Sequence, residues 1–248
     1  MARSGVCRGF NCLVVLLVLC ALLIALEYSF HLSTRGAWLA HVTAQSSDVW
    51  DNIHMQGQKL EGGRGVFGYG NWLKNQPSIR YLRTQPKYAR LADMSSSVGI
   101  ILATLQEENP RAEHFGSDIS RLMVNATQQR CRQCHVAQFD VGRFQRPEGE
   151  AASYAFPGTF DYVLVEDVLY YIAWGGWPPF LLNICGPCRR MAQTHQRRWL
   201  ERVKALTRRK VVISAHQENP IVMDMLRALG ATRDPEYGIF LVDGTAPS

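Results

Sequence analysis

The 248-residue sequence contains no internal repeat and no low-complexity tract, so repeat solenoids and arrays are excluded. Its apolar fraction of 47% and charged fraction of 19% are ordinary for globular proteins, which argues against a disordered or fibrous class. The chain is long enough for one domain with a substantial core, but too short for two average domains with linkers. One folded domain is therefore expected.

Two binding signatures are also missing. The net charge of +6 is spread along the chain, and the densest basic stretch, residues 189–210, carries Trp199, Val203 and Leu206 at the spacing of a helix face. No aromatic platform or known module accompanies these charges, so no nucleic-acid partner is expected. The glycine-rich stretch "EGGRGVFGYGNW" follows no strand and precedes no Lys-Ser/Thr pair, so it is not a P-loop.

An uncharged apolar run, Phe10–Leu26, stands out near the N-terminus. Its length is close to the ~20 residues that a helix needs to cross a bilayer. Arg3 and Arg8 precede it and Glu27 follows, so the positive-inside rule places residues 1–9 in the cytosol. We predict an uncleaved signal anchor over residues 10–26.

This anchor would make the protein a single-pass type II membrane protein of the secretory pathway, in the Golgi or endoplasmic reticulum, with a lumenal domain. A cleaved signal peptide is the main alternative, although its apolar core is usually only ~7–15 residues long. A mitochondrial anchor is the other alternative, because the first ten residues contain arginine and no acid.

The four cysteines that follow the apolar run form two C-x-x-C pairs, Cys131 with Cys134 and Cys185 with Cys188. The pairs are about 50 residues apart, against the ~15–20 of a compact zinc ribbon, so no metal is expected. In a lumenal domain, disulfides within or between the pairs are expected instead. Asn125 begins an N-x-S/T sequon, which fits a lumenal glycoprotein.

Residues 27–75 show no long periodic pattern and are expected to form a stem and lead-in. In residues 76–248, from Tyr88 onward, short apolar segments alternate with segments of helical periodicity, and "FDYVLVE" is the continuous apolar run of a buried parallel strand. This alternation predicts an α/β fold, a three-layer sandwich of helices around an open, mostly parallel, Rossmann-like sheet.

Acidic residues end three of the predicted strands: Asp93, Asp118 and Asp140. Open α/β sheets bind their ligands outside the carboxyl ends of the strands, where the strand order reverses. A carboxylate after the second strand can accept both hydroxyls of a ribose, because its two oxygens offer paired acceptors. Asp93 and Asp118 could alternatively cap the helices that follow them.

The order of these segments resembles the class I S-adenosylmethionine-dependent methyltransferases, over roughly residues 90–242. "LADMSSSVG" is similar to the family's first motif, apolar-x-acid-x-Gly-x-Gly-x-Gly, with Asp93 and Gly99 in place and Ser95 and Ser97 replacing glycines. "FGSDIS", "AQFDVGRF" and "FDYVLVEDVLYYI" resemble the next three motifs, and "WLERVKALTRRKVVIS" resembles the helix and strand after them.

The resemblance implies S-adenosyl-L-methionine as cofactor and assigns roles to individual residues. Asp118 would take the ribose hydroxyls, with Ile119 beside it, while Asp140 and Phe139 would contact the adenine. Ser95 and Ser97 either strain the turn, since serine adds a Cβ, or offer hydroxyls to the methionine carboxylate. The catalytic candidates are Glu166, Asp167 and Tyr170, which follow the fourth strand and would face the methyl donor and the acceptor. Glu166 is also a candidate cofactor-binding residue.

The predicted function is therefore methyl transfer to an oxygen or nitrogen of an unknown acceptor, with a glycan or a small molecule as candidates. An inactive methyltransferase-like interaction module is the alternative that Ser95 and Ser97 favour. A Golgi glycosyltransferase shares the anchor, stem and domain plan, but "VEDV" is a poor match to the acidic pair that such enzymes use for a metal-bound sugar nucleotide. The predicted partners are the membrane and the acceptor.

Overall fold

The N-terminal part of the structure is a helical segment over residues 14–25 with exposed apolar side chains, of which Leu16 is 62% exposed. None of the helices in the described ranges has the length and apolar character that crossing a membrane requires. The rest of the predicted anchor lies outside those ranges. The computed structural model describes residues 14–25, 51, 76–142, 144, 155–166, 168, 169, 172, 185–214 and 220–247.

Helices and strands alternate from residue 77 onward. The helices are α1 (Pro77–Thr84), α2 (Ile100–Glu108), α3 (Arg121–Arg130), α4 (Gly186–Leu206) and α5 (Pro220–Ala228). The strands are β1 (Arg90–Asp93), β2 (Glu113–Asp118), β3 (His135–Gln138), β4 (Phe160–Glu166), β5 (Thr207–Ser214), β6 (Thr232–Arg233) and β7 (Phe240–Asp243).

All the described strands belong to one seven-stranded sheet in the order β3-β2-β1-β4-β5-β7-β6. Strands β1 to β5 pair in parallel, and β7 is antiparallel to both β5 and β6. The first five follow the order of a doubly wound Rossmann fold, and the order reverses between β1 and β4. The predicted open, mostly parallel sheet is therefore confirmed.

The buried strand β4 shows why the domain has three layers. Val163 and Val165 pack in one cluster with residues of α4 and α5, whereas Tyr162 and Leu164 pack in another with residues of α1 and α2. Because successive strand residues point to opposite faces, helices cover both faces of the sheet. This is the predicted sandwich.

The structure differs from the predicted elements in small ways. Strand β3 ends at Gln138, two residues before the predicted end at Asp140. Helix α1 and strand β6 were not predicted, since α1 precedes the alternating pattern and β6 has only two residues, Thr232–Arg233.

Candidate functional site

The carboxyl ends of β1, β2 and β4 bring three acidic side chains to one edge of the sheet. Asp93 ends β1, where it is in register with Gly116 of β2 and Leu164 of β4. Asp118 and Glu166 end those two neighbouring strands. The edge lies beside the point at which the strand order reverses, which is where such sheets bind ligands.

Asp93 is a buried carboxyl, 1% exposed, whose two oxygens have different surroundings. Its Oδ1 accepts a hydrogen bond from the backbone N–H of Ser95 at 3.2 Å, while its buried Oδ2 has no hydrogen-bond partner. Burial, and then the nearby charges of Glu166 and Asp118, raise the pKa of Asp93 to about 8. At neutral pH this side chain is mainly protonated and can donate a hydrogen bond.

Asp118 is held by backbone donors on both sides. Its Oδ1 accepts from the N–H of Ser120 at 2.9 Å, and its Oδ2 accepts from the N–H of Ser97 at 3.1 Å. Burial raises the pKa of Asp118 to about 6, although these hydrogen bonds lower it. The carboxyl is therefore mainly ionised at pH 7, and each oxygen retains further acceptor capacity because a carboxylate offers about four lone-pair sites.

The turn between β1 and α2 is closed by its own hydrogen bonds. The N–H of Ser96 donates to the carbonyl of Ser117 at 2.8 Å, and the N–H of Gly99 donates to the carbonyl of Ser96 at 2.7 Å. The Ser95 hydroxyl donates to the backbone carbonyl of Glu166 at 2.8 Å. Together with the bonds to Asp93 and Asp118, the N–H groups of Ser95, Ser96, Ser97 and Gly99 are all engaged within the protein.

The serine replacements have different conformational consequences. Ser97 adopts a φ of +47°, in the left-handed region that favours glycine, so the strain expected from its Cβ is present there. Ser95 is not among the described residues with positive φ. Its hydroxyl instead connects the turn to the end of β4.

Gly99 is required by both backbone and packing. It caps α2 with a φ of +74°, and a Cβ added there would lie 2.6 Å from the Cγ2 of Thr127 in α3. The Thr127 hydroxyl donates to the carbonyl of Ser97 at 2.7 Å. Gly99 therefore allows α3 to approach the turn closely enough for Thr127 to form this hydrogen bond.

A residue that the sequence did not identify also lies at this edge. The Asp51 carboxylate accepts hydrogen bonds from the Ser120 hydroxyl and, at 3.1 Å, from the N–H of Leu122 at the start of α3. Its charge contributes to the raised pKa of Asp118. The separation of about 70 residues between Asp51 and α3 left no local pattern from which the contact could be predicted.

The adenine contacts assigned from the resemblance stay predictions. The N–H of Phe139 donates to the carbonyl of Asp118 at 2.9 Å, so Phe139 and Asp140 follow directly beside the end of β2. The Phe139 ring is fully buried and makes edge-to-face contacts with Phe144 and Phe156. Asp140 is 3% exposed, whereas Ile119 is half-buried.

The acceptor side is described only in part. Glu166 ends β4, is 8% exposed and lies near Asp93, and its role toward the donor and the acceptor stays a prediction. Asp167 and Tyr170, the other predicted catalytic residues, lie outside the described residues.

Each C-x-x-C pair forms a disulfide within itself, Cys131 with Cys134 and Cys185 with Cys188. Of the two pairings that the sequence left open, the structure contains the local one. In the described part of the chain, no group of three or more histidine, cysteine or acidic side chains could hold a metal ion.

No family model and no curated protein matches the sequence. Among solved structures, the chain is similar to a TehB-like SAM-dependent methyltransferase from Corynebacterium glutamicum, with 14% identity and a TM-score of 0.48 over 77% of this chain and 94% of that one. It is also similar to DesVI from Streptomyces venezuelae, with 15% identity and a TM-score of 0.43 over 65% and 57% of the two chains.

A third similar structure is the StiE O-MT, with 16% identity and a TM-score of 0.39. The match covers 54% of this chain and 41% of the StiE chain, so this chain spans less than half of that protein's length. Of these three structures, the Corynebacterium glutamicum protein is the one named as a SAM-dependent methyltransferase.

Proposed function

We propose that the chain is an S-adenosylmethionine-dependent methyltransferase that transfers a methyl group to an oxygen or nitrogen of its acceptor. The observation that carries this proposal is Asp118. It is an ionised carboxylate, fixed by two backbone N–H groups at the end of β2, next to the point where the strand order reverses.

The residues at this edge fit the cofactor at its ribose end. Asp118 accepts the two ribose hydroxyls through the acceptor positions that Ser97 and Ser120 leave open. Asp140 accepts from the adenine amino group, and Ile119 and Phe139 flank the base. S-adenosylmethionine, when bound, supplies a methyl group on a positively charged sulfonium.

Asp93 has a separate role because it is protonated at neutral pH. Its Oδ1 is occupied by the Ser95 N–H, so we place its proton on the buried, unpartnered Oδ2. Ionised carboxylates at the same edge favour a cation such as a sulfonium through their negative potential.

The acceptor side follows from what methyl transfer requires. The reaction is an in-line displacement, so the protein chiefly aligns the acceptor with the methyl group, and a base takes the acceptor's proton where one must leave. Glu166, Asp167 and Tyr170 follow β4 and are the residues we assign to these tasks.

The test is isothermal titration calorimetry of the full chain with S-adenosylmethionine and with S-adenosylhomocysteine. Asp118→Asn keeps the shape of the side chain but removes its charge, and we expect affinity to fall by about 10- to 100-fold, the range for a lost charged hydrogen bond. Asp243→Asn is the matched control, because Asp243 ends the antiparallel strand β7 at the opposite edge and pairs with Lys210 at 2.6 Å. Folded wild-type protein that binds neither compound would contradict the proposal.

An inactive methyltransferase-like interaction module is the second candidate. It is favoured by the closed turn, in which the N–H groups of residues 95–97 and of Gly99 already have partners within the protein. The calorimetric experiment separates the two candidates, because this module would fold normally and bind neither compound.

We also propose that an uncleaved anchor over residues 10–26 holds the domain in the lumen of the secretory pathway. The apolar run, the arginines before it and the sequon at Asn125 support this proposal. A lumenal domain meets glycans, so a glycan hydroxyl or amine is the acceptor that we favour.

A further inference from the structure

One C-x-x-C disulfide lies at the C-terminus of a helix and the other lies at the N-terminus of a helix. Cys131 follows the last residue of α3 as its C-cap, whereas Cys185 is the N-cap of α4, with Pro187 and Cys188 in the first turn. A helix dipole is positive at the N-terminus and negative at the C-terminus. The same spacing therefore meets opposite electrostatic surroundings in one protein.

The surroundings of Cys185 favour a thiolate once the disulfide is reduced. The N–H of Cys188 donates to the Sγ of Cys185 at 3.2 Å, which places a donor on that sulfur. The first turn of α4 contains no acidic residue, and Arg189 and Arg190 follow directly, with Arg189 paired to Asp224 at 2.8 Å. A helix N-terminus, cationic neighbours and C-x-x-C spacing are the features that make a cysteine reactive in disulfide oxidoreductases.

The two pairs also differ in accessibility. Cys185 and Cys188 are both partly exposed, whereas in the other pair only Cys134 is partly exposed and Cys131 is 3% exposed. Thiol–disulfide exchange requires an attacking sulfur to reach the partner's sulfur in line, so accessibility limits its rate. A disulfide that closes so short a loop contributes little to stability through chain entropy, which leaves the exposed pair poorly explained as a structural staple.

A shallow groove on α4 begins beside this disulfide. Arg190 and Arg198 supply its charge, while His195 is largely neutral at pH 7 because burial, and then Arg202 and Arg198, lower its pKa. Met191 is 61% exposed there and offers an apolar contact. The groove therefore suits a small anionic molecule; its lining is Pro187, Arg190, Met191, Thr194, His195 and Arg198.

We propose that Cys185 and Cys188 are a redox-active dithiol–disulfide couple that exchanges with small anionic disulfides of the glutathione type, bound in the α4 groove. This activity is independent of methyl transfer. The topology places it on the carboxyl-end side of the sheet, because α4 connects the end of β4 to the start of β5.

The exchange balances in two steps. The Cys185 thiolate attacks one sulfur of glutathione disulfide, a mixed disulfide forms, and one glutathione thiolate leaves and takes a proton. The Cys188 thiolate, formed by loss of its proton to water, then attacks the Cys185 sulfur, and the second glutathione leaves. Two electrons pass from the cysteine pair to the glutathione disulfide, and the reverse reaction oxidises two glutathione molecules.

The first test is a redox titration of the full chain in detergent with mixtures of reduced and oxidised glutathione. Samples are quenched with acid, alkylated and digested, and mass spectrometry reports the reduced fraction of each pair. We expect Cys185–Cys188 to be half reduced at a ratio of [GSH]² to [GSSG] at least about 10-fold lower than Cys131–Cys134. Equal midpoints, or a Cys185–Cys188 pair that is the harder to reduce, would overturn the proposal.

The second test measures how fast the reduced chain is reoxidised by disulfides of different charge. Anionic glutathione disulfide should react several-fold faster than cationic cystamine, and Arg190→Ala with Arg198→Ala should remove that preference. Cys185→Ser should abolish the fast reaction with glutathione disulfide, whereas Cys131→Ser, its matched control, should retain that reaction. Equal rates for the two disulfides with wild-type protein would exclude the anionic partner. Methyl-donor binding is checked separately, by measuring S-adenosylmethionine binding to Cys185→Ser.

Discussion

Two neighbouring carboxyls, Asp93 and Asp118, take different protonation states at the same edge of the sheet. Loss of hydration is the main cause of the raised pKa of both, Asp93 being buried and Asp118 partly buried, but only Asp118 receives backbone hydrogen bonds on both of its oxygens. Such hydrogen bonds favour the charged form of a carboxyl. The difference leaves one protonated and one ionised carboxyl at the same edge at pH 7.

The raised pKa of Asp93 predicts a pH dependence of stability. Between the unfolded pKa of about 3.9 and the folded pKa of about 8, the folded protein holds a proton that the unfolded chain has lost. This contribution to stability is complete below the unfolded pKa and is lost as the pH rises through the folded pKa.

Asp93→Asn removes this titration. Urea unfolding should be measured at pH 5, 6, 7 and 8. The unfolding free energy of the variant, relative to that of the wild type, should therefore increase as the pH rises, by up to ~1.4 kcal/mol per pH unit. Asp118 titrates in both proteins and serves as an internal control. A difference in unfolding free energy that stays constant with pH would show that Asp93 is ionised in the folded state.

At the residue scale, the sequence correctly identified Asp93 and Asp118 as strand ends, but not Asp140 and not the surroundings of these side chains. The positions of Asp93 and Asp118 followed from the alternation of apolar segments. Their protonation depends on burial and on partners such as Ser120 and Asp51, which only the folded chain brings together.

Among the elements, the approach of α3 to the turn between β1 and α2 fixes the position of that turn at the candidate cofactor site. Gly99 allows this approach, and Thr127 bonds the turn from the α3 side. The contact is tight, since Thr127 atoms lie within 3 Å of the position that a Cβ on residue 99 would occupy.

Gly99→Ala should destabilise the protein by both backbone strain and this clash. Gly230→Ala is the matched control, because Gly230 has a similar φ of +68° but no atom within 4 Å of its Cβ position. Gly230→Ala should lower the free energy of unfolding by about 1 kcal/mol, because alanine is strained in the left-handed backbone. Gly99→Ala should lower it by about 1–3 kcal/mol more, because the clash is added to that strain. Urea denaturation of both variants measures the difference, and equal losses would show that α3 moves away freely.

Strong periodicity made some elements predictable. The pattern of Trp199, Val203 and Leu206 indicated a helix with one solvated face, and α4 buries Trp199 and Val203. The β3 edge strand ends early and β6 is only two residues long, so neither gives a sustained period-2 signal that would set its bounds.

For the whole molecule, the alternation of strands and helices predicted the three layers and the mostly parallel sheet. It could not predict that β7 inserts antiparallel between β5 and β6, because pairing partners are set by packing across the molecule and not by local pattern. The orientation relative to a membrane is the remaining whole-molecule prediction.

Protease protection of intact microsomes tests that orientation. A lumenal domain should survive protease until detergent is added, and Asn125→Gln should abolish any shift in mobility caused by endoglycosidase. The control is Asn109→Gln, because Asn109 is followed by proline and lies in no sequon. Digestion of the domain in intact microsomes would contradict the lumenal topology and remove the argument for a glycan acceptor.

The contact between Asp51 and the start of α3 has a practical consequence for fragments of this protein. Asp51 supplies an acceptor to the Ser120 hydroxyl and the Leu122 N–H, just after Asp118. A fragment cut at residue 76, where the regular alternation begins, would leave those donors to water and let the first turn of α3 fray. Such a fragment could lose ligand affinity through its boundary alone, so shortened chains should start upstream of Asp51.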